Sequence, residues 1–98
     1  MTKAHEPITP GEILLTEFLE PLGITQYRLA QATGLPQTRI SEIVRGKRAI
    51  SIDTALRLSK ALGVDDRFWI NIQTDFDLEV ERDLHAEDLA KVTTLVAS

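Results

Sequence analysis

The sequence predicts an all-α fold, and three observations lead to that prediction. Threonine and serine residues suited to cap helices recur along the chain, and each is followed by a glycine suited to end one. The apolar residues between them recur at helical spacing. The sequence has no alternating β-branched run and no Asn-Gly or Asp-Gly hairpin signal. We therefore expect five or six helices and no sheet.

The first predicted helix begins with a capping box. Thr9 is the expected N-cap, Pro10 is the first helical residue, and Glu12 is expected to reach back toward Thr9. The helix is expected to end before Pro21 and Gly23, because a proline restricts the residue before it and a glycine favours the end of a helix. This pattern predicts about three helical turns at the start of the domain.

Two short helices joined by a tight turn are predicted in the middle of the chain. Thr25 caps the first, Gln26–Thr33, and Gly34 ends it. The second covers residues 36–45 and ends at Gly46. This arrangement is typical of a helix-turn-helix.

Further helices are predicted in the second half of the chain. Ser51 caps a helix over Ile52–Leu62 that Gly63 ends, and Asp65 is expected to cap a longer helix after it. A last short helix is expected over residues 86–96. The apolar residues at helical spacing are Ile52, Ala55, Leu56 and Leu62, then Trp69, Ile72, Phe76, Val80 and Leu84, and finally Leu89, Val92 and Leu95.

Composition predicts one globular domain with an uneven distribution of charge. The 98 residues are 43% hydrophobic and 27% charged, and they include no cysteine, which excludes disulfides, thiolate metal sites and a cysteine nucleophile. The net charge of −4 is the sum of −3 over residues 1–23, +4 over residues 24–50, +1 over residues 51–63 and −6 over residues 64–98. Because the local field decides whether a surface attracts phosphate, the basic middle of the chain is compatible with nucleic-acid binding. The sequence has no signal-peptide pattern and no membrane-spanning segment, so we expect a cytoplasmic protein.

The spacing of four residues strengthens the helix-turn-helix prediction. Ala30 allows the two short helices to cross closely, and Gly34 follows four residues later at the turn. Ile40 and Ile43 come six and nine residues after that glycine and are expected to pack into the core. Leu29 and Leu35 are expected to complete the packing at the turn.

Burial of the two isoleucines would turn a polar face of the second helix outward. Such a face suits the DNA major groove, where glutamine pairs with adenine and arginine with guanine. A solvated amphipathic helix would show the same face, but the turn spacing and local charge favour DNA. Glu42 is expected either to accept a hydrogen bond from cytosine or to orient Arg39 or Arg45. The predicted base-reading residues are Gln37, Thr38, Arg39, Ser41 and Arg45, and the predicted phosphate contacts are Gln26, Arg28, Lys47 and Arg48.

The sequence resembles HigA-type antitoxins, which belong to the wider phage-repressor-like helix-turn-helix class. The resemblance extends over residues 9–78 and includes segments on both sides of the helix-turn-helix, which makes it more specific than the motif alone. The matching segments are PGEIL at 10–14, EFL at 17–19, PLG at 21–23, ISEIVRGKR at 40–48, DTALRL at 53–58 and FW at 68–69.

The resemblance implies a fold and a function. It implies a phage-repressor-like domain of five helices, with a C-terminal helical extension. HigA-type proteins neutralise a RelE-like ribonuclease toxin encoded beside them, and they repress their shared promoter as homodimers. By analogy with the family, the resemblance also implies which residues contact DNA, with Lys47 and Arg48 on phosphate. The other implied contacts are Gln26, Gln37, Thr38, Arg39, Ser41 and Arg45. Residues 79–98 depart from the family pattern.

These considerations divide the chain into a flexible arm over residues 1–8, a DNA-binding domain over residues 9–78 and an acidic helical extension over residues 79–98. The apolar stripe of the longer helix could close the core or form the dimer interface. We expect Trp69 and Phe76 to close the core. The predicted dimer contacts are Val80, Leu84, Leu89 and Val92.

The toxin-binding surface has two candidate locations. One is the N-terminal arm, which could become ordered on the toxin. The other is an acidic surface that would attract a basic ribonuclease, although it could equally be a solvated face. Its members are Asp75, Asp77, Glu79, Glu81, Asp83, Glu87 and Asp88.

Other classes of protein fit the sequence less well. An enzyme would need a catalytic pair or a metal cluster, and the only histidines are His5 and His85, the latter beside Glu81 and Asp88. We expect no metal and no cofactor, and the chain has no spare domain for an effector pocket. A stand-alone repressor without a toxin remains the main alternative, because it would share every DNA contact.

Overall fold

The computed structural model describes residues 6–97, which form six helices and no strand. The six helices are α1 (residues 10–22), α2 (Gln26–Thr33), α3 (Gln37–Val44), α4 (Ile52–Leu62), α5 (Phe68–Leu84) and α6 (Ala86–Ala90). The all-α prediction, with a helix-turn-helix domain and a C-terminal helical extension, is confirmed. Most of the predicted arm, residues 1–5, lies outside the described residues.

Helix α1 contains a π-helical turn. It is α-helical over Pro10–Ile13, π-helical over Leu14–Leu19 and α-helical again over Glu20–Leu22. The prediction that this helix ends before Pro21 is wrong, because the proline lies in its last turn and the helix ends at Gly23, with φ of 64°. A proline has no N–H to continue the i→i−4 bonds, and the wider π turn lies just before it.

Side-chain caps begin three of the helices, as the sequence predicted. Oγ1 of Thr9 accepts a hydrogen bond from the backbone N–H of Glu12 at 3.1 Å, and Oγ1 of Thr25 accepts one from the N–H of Arg28 at 3.0 Å. Ser51 caps α4 in the same way. These caps satisfy backbone donors that have no partner within the helix.

Four further predicted helix bounds are wrong. Helix α3 begins one residue late, since Pro36 is extended and serves as its N-cap, and it ends one residue early, at Val44 instead of Arg45. Helix α5 begins at Phe68, because the carboxylate of Asp65 accepts from the N–H of Arg67 at 2.8 Å and forms a turn instead of a cap. Helix α6 ends at Ala90 instead of residue 96. The β-branched residues after it disfavour a helix, and they are exposed, so packing does not compensate.

The core lies between α1, the helix-turn-helix, α4 and the first turns of α5. Trp69 is fully buried, and its ring centroid lies 5.2 Å from that of Phe18 and 5.1 Å from that of Phe68. This arrangement confirms that Trp69 closes the core, and Phe76 is half-buried further along α5. The buried apolar residues are Leu14, Leu19, Leu29, Ala30, Leu35, Ile40, Ile43, Ile50, Ala55, Leu58 and Trp69.

Of the four apolar residues at helical spacing on α4, Ala55 is buried and Leu62 is half-buried against the core. Ile52 is 68% exposed and Leu56 is 42% exposed, so neither of these predicted positions is buried. The helix is apolar on more than one side, and periodicity alone could not decide which side meets the core. The buried face consists of Thr54, Ala55, Leu58 and Ser59.

The C-terminal part of the chain stands away from the core. The radius of gyration is 16.3 Å and the longest dimension is 49 Å, whereas a compact domain of this length has a radius of gyration of about 13 Å. Every residue from 81 to 97 is exposed. No helix in the described part of the chain is both long and apolar enough to cross a bilayer.

Candidate nucleic-acid interface

The turn between α2 and α3 is fixed by local geometry. Gly34 has φ of 75°, a conformation that favours glycine, and Ala30 is buried where the two helices cross. Oγ1 of Thr33 donates to the carbonyl of Leu29 at 2.8 Å and accepts from the N–H of Leu35 at 3.3 Å. The end of α2 and the start of the turn are therefore hydrogen-bonded to each other.

Arg57 on α4 holds this turn from outside. Its Nη1 donates to the carbonyl oxygen of Thr33 at 2.8 Å, and its Nε donates to the carboxylate of Asp53 at 3.0 Å. The guanidinium thus satisfies a carbonyl at the C-terminal end of α2, where a positive charge is favoured. This contact of Arg57 with the turn was not predicted from the sequence.

The orientation of α3 is set by close packing against α1. Ile40 and Ile43 are buried, as predicted. A Cβ atom on Gly11 would lie 1.6 Å from the carbonyl oxygen of Ile43, so the backbones of the two helices are in contact. This role of Gly11 was not predicted, because a glycine within a helical pattern does not by itself show which neighbour it meets.

The five predicted base-reading residues lie on α3 or directly after it. Gln37, Thr38 and Arg45 are exposed, and Arg39 and Ser41 are half-buried. Nε of Arg45 donates to the carbonyl of Ser41 at 3.4 Å, so this side chain folds back along the end of the helix. The fold brings these side chains together on one short helix, and their role in reading bases stays a prediction.

The loop after α3 carries two basic residues. Lys47 and Arg48 are exposed, but Nε of Arg48 donates to Oε1 of Glu42 at 2.8 Å. The prediction that Glu42 orients Arg39 or Arg45 is wrong, because the loop folds back and brings Arg48, six residues away, to its carboxylate. Glu42 therefore neutralises one of the predicted phosphate contacts in this conformation.

The two other predicted phosphate contacts lie at the N-terminus of α2. Gln26 is the first residue of this helix and is half-buried, and Arg28 is exposed within its first turn. Backbone N–H groups at such an end favour an anion, which is compatible with phosphate. The predicted phosphate contacts therefore lie before and after α3 in the sequence.

The predicted dimer contacts lie on the extension. Val80 is half-buried, while Leu84, Leu89 and Val92 are 69%, 51% and 70% exposed. Next to them, Nε2 of His85 lies 3.2 Å from Oε2 of Glu81. No group of three metal-binding side chains occurs among residues 6–97.

Comparison with known proteins agrees with this architecture. The helix-turn-helix family profile matches residues 15–69. Antitoxin HigA-1 of Vibrio cholerae is 38% identical over 94 residues, which cover 96% of this chain and 89% of that protein.

Solved structures give the same result. The antitoxin HigA of Pseudomonas aeruginosa, solved with the higBA promoter, is 33% identical with a TM-score of 0.86, and the match covers 93% of this chain and 100% of that one. Antitoxin GraA, solved in complex with its operator, is 38% identical with a TM-score of 0.85 over 99% of both chains. The chain therefore belongs to the HigA-type antitoxins of the phage-repressor-like helix-turn-helix class, a family of DNA-binding proteins rather than enzymes.

Proposed function

We propose that this chain is an antitoxin that represses its own operon by binding operator DNA with α3. The observation that carries the proposal is the orientation of α3, whose apolar side is buried by Ile40 and Ile43 while its polar side is exposed. Relatives of the same fold that bind a promoter or an operator support it.

The predicted DNA-contacting residues divide between two roles in this proposal. Gln37, Thr38, Arg39, Ser41 and Arg45 read base edges in the major groove, where one bidentate pair discriminates by about 1–3 kcal/mol. Gln26, Arg28, Lys47 and Arg48 bind the phosphate backbone and set the register of the protein on the duplex.

The two roles predict different mutant behaviour. Gln37→Ala is expected to weaken binding to DNA from upstream of the gene by about 10-fold or more and to change non-operator binding little, because base contacts carry the specificity. Lys47→Ala is expected to weaken binding to both DNAs and to lower the salt slope by about 0.9. Fluorescence anisotropy from 50 to 300 mM salt measures both effects. Equal affinity of the wild-type protein for upstream and scrambled DNA would contradict the proposal.

We further propose that the DNA-binding form is a homodimer. One recognition helix covers only a few base pairs, and dimers of this class place two of them about 34 Å apart. The exposed apolar residues of the extension, Leu84, Leu89 and Val92, supply a surface that a second copy would bury.

We also propose that the partner is a RelE-like ribonuclease toxin, bound through the acidic face of α5. Asp75, Glu79 and Asp83 share a shallow groove with Leu78 and Arg82, and such a surface suits a basic ribonuclease. The rival location is the arm, of which residues 6–8 are described, with Pro7 and Ile8 lying beside Ile72 and Phe76.

A growth assay tests the toxin proposal directly. The small open reading frame next to the gene is induced with and without this chain, and we expect growth to stop and to be restored. Asp75→Asn with Glu79→Gln is expected to weaken capture of the neighbour product and to leave operator binding unchanged, whereas deletion of residues 1–8 tests the arm. A harmless neighbour would leave a stand-alone repressor as the function.

A further inference from the structure

A buried polar side chain on α5 is hydrogen-bonded to the loop that follows α3. Gln73 is only 8% exposed, and its Oε1 accepts from the backbone N–H of Ile50 at 2.8 Å. Its Nε2 donates to Oδ1 of Asp77, one turn further along α5, at 2.9 Å. The amide thus uses its acceptor on the loop and a donor on its own helix.

The loop has few other attachments. At its start, the N–H groups of Gly46 and Lys47 donate to carbonyls of Ile43 and Glu42 at 3.0 Å and 2.8 Å, which extends the end of α3. Residues 47–49 are exposed, and a cleft of about 180 Å³ lies between this loop, the start of α1 and α5. Ile50, which is buried, is where the loop reaches α5. The side chain of Arg48 is also bonded to Glu42 on α3. The loop is therefore held at its start by these bonds to α3 and at its end by the bond from Ile50 to Gln73.

We propose that Gln73 is a positioning residue for DNA binding, which holds the loop so that Lys47 and Arg48 meet the phosphate backbone together. Asp77 assists by fixing the orientation of the amide, because an amide whose NH₂ donates to a carboxylate turns its oxygen to the other side. The inference rests on the DNA-binding function proposed above and adds a residue that does not touch DNA.

The direct test is Gln73→Met, which has similar volume and removes both hydrogen bonds. Loss of one such bond corresponds to about a 3- to 10-fold change in a local equilibrium. We expect hydrogen exchange at the Ile50 amide to accelerate by that factor in the free protein. We also expect affinity for operator and non-operator DNA to fall together, with the salt slope reduced by about 1 to 2 because phosphate contacts are lost.

A double variant that exchanges the amide and the carboxylate between positions 73 and 77, called the swapped pair, provides the matched control. Gln73→Glu combined with Asp77→Asn keeps the net charge, and the new carboxylate can accept from both the Ile50 N–H and the new amide. We expect this double variant to restore slow exchange, affinity and salt slope. Gln73→Glu alone keeps an acceptor for the Ile50 N–H but places two carboxylates side by side, so we expect a smaller loss of affinity than with Gln73→Met.

Asp77→Ala keeps the test valid if Gln73→Met does not fold, since Asp77 is exposed and only the orienting bond is lost. We expect a decrease in affinity of about 2- to 3-fold, because one net hydrogen bond is small. Unchanged affinity and salt slope in a folded variant with fast Ile50 exchange would overturn the proposal, as would failure of the swapped pair to restore binding. Failure of the DNA-binding function itself would be seen separately, in the wild-type protein, as no binding to upstream DNA.

Discussion

Gly11 leaves no space for a side chain between α1 and α3, and this contact decides where the recognition helix points. An added Cβ would overlap the carbonyl oxygen of Ile43. Because the obstacle is backbone, relief would require α1 to move away from α3. The geometry of the interface therefore requires a residue without a side chain at position 11.

We predict that Gly11→Ala lowers the free energy of unfolding by about 1–3 kcal/mol, the range for overpacking. Helix propensity alone predicts the opposite sign, since alanine favours a helix over glycine by about 1 kcal/mol. Chemical denaturation measures the effect. Gly23→Ala is the comparison, because it has a positive φ but nothing within 4 Å of the added atom. A Gly11→Ala protein as stable as wild type would refute the close contact.

Glu42 determines how much charge the loop presents to DNA. We predict that Glu42→Gln raises affinity for non-operator DNA by about 2- to 5-fold, because exposed ion pairs contribute about 0.2–1 kcal/mol and Arg48 would no longer have to leave one. Anisotropy on a scrambled duplex measures the change.

A double-mutant cycle separates this effect from the mere removal of a negative charge. In an Arg48→Ala background, Glu42→Gln should no longer increase the affinity, since the pair is already lost. An equal increase in both backgrounds would mean that Glu42 acts through its general field and not through Arg48.

At the scale of helices, the distal half of α5 and the segment after it carry apolar side chains that stay exposed in the structure of residues 6–97. Leu84 is 69% exposed at the end of α5. We predict that Leu84→Arg weakens the homodimer by about 10-fold or more, because an interface would have to bury an unpaired charge. Sedimentation equilibrium measures the dissociation constant. Leu22→Arg, at a site 61% exposed on α1, is the control, and an equal effect of both substitutions would exclude this surface.

The helices could be predicted from the sequence because local signals determine where they start and end. The hydrogen bonds that connect distant parts of the chain could not be predicted in this way. Thr25, Ser51 and the glycines after α2 and α4 specify starts and ends within a few residues, which is why the helix-turn-helix was predicted correctly. Gln73 meets Ile50 across 23 positions and Arg57 meets Thr33 across 24. Periodicity carries no information about such distant pairs, so the positioning residues could only be found in the fold.

At the scale of the whole molecule, the proposed homodimer would share its stability between two copies. The radius of gyration of 16.3 Å reflects an extension that adds exposed apolar area and little core. We predict that the melting temperature rises with protein concentration, because a dimer that forms only from folded chains is stabilised by mass action. Differential scanning calorimetry across a 100-fold range of concentration measures this effect. The Leu84→Arg variant should need about 10-fold more protein to reach the same midpoint, and a wild-type midpoint independent of concentration would contradict the proposed dimer.

The continuity of α5 has a consequence for regulation. One uninterrupted helix runs from Gln73, beside the DNA-binding loop, to Leu84 at the base of the extension. Such a helix is stiff, so in the complex proposed above a toxin that tilts its far end would also displace the loop. Thermodynamic linkage then requires reciprocity: whatever factor the toxin applies to operator affinity, the operator applies to toxin affinity. In the proposed complex, any such coupling would make the level of repression depend on the amount of toxin.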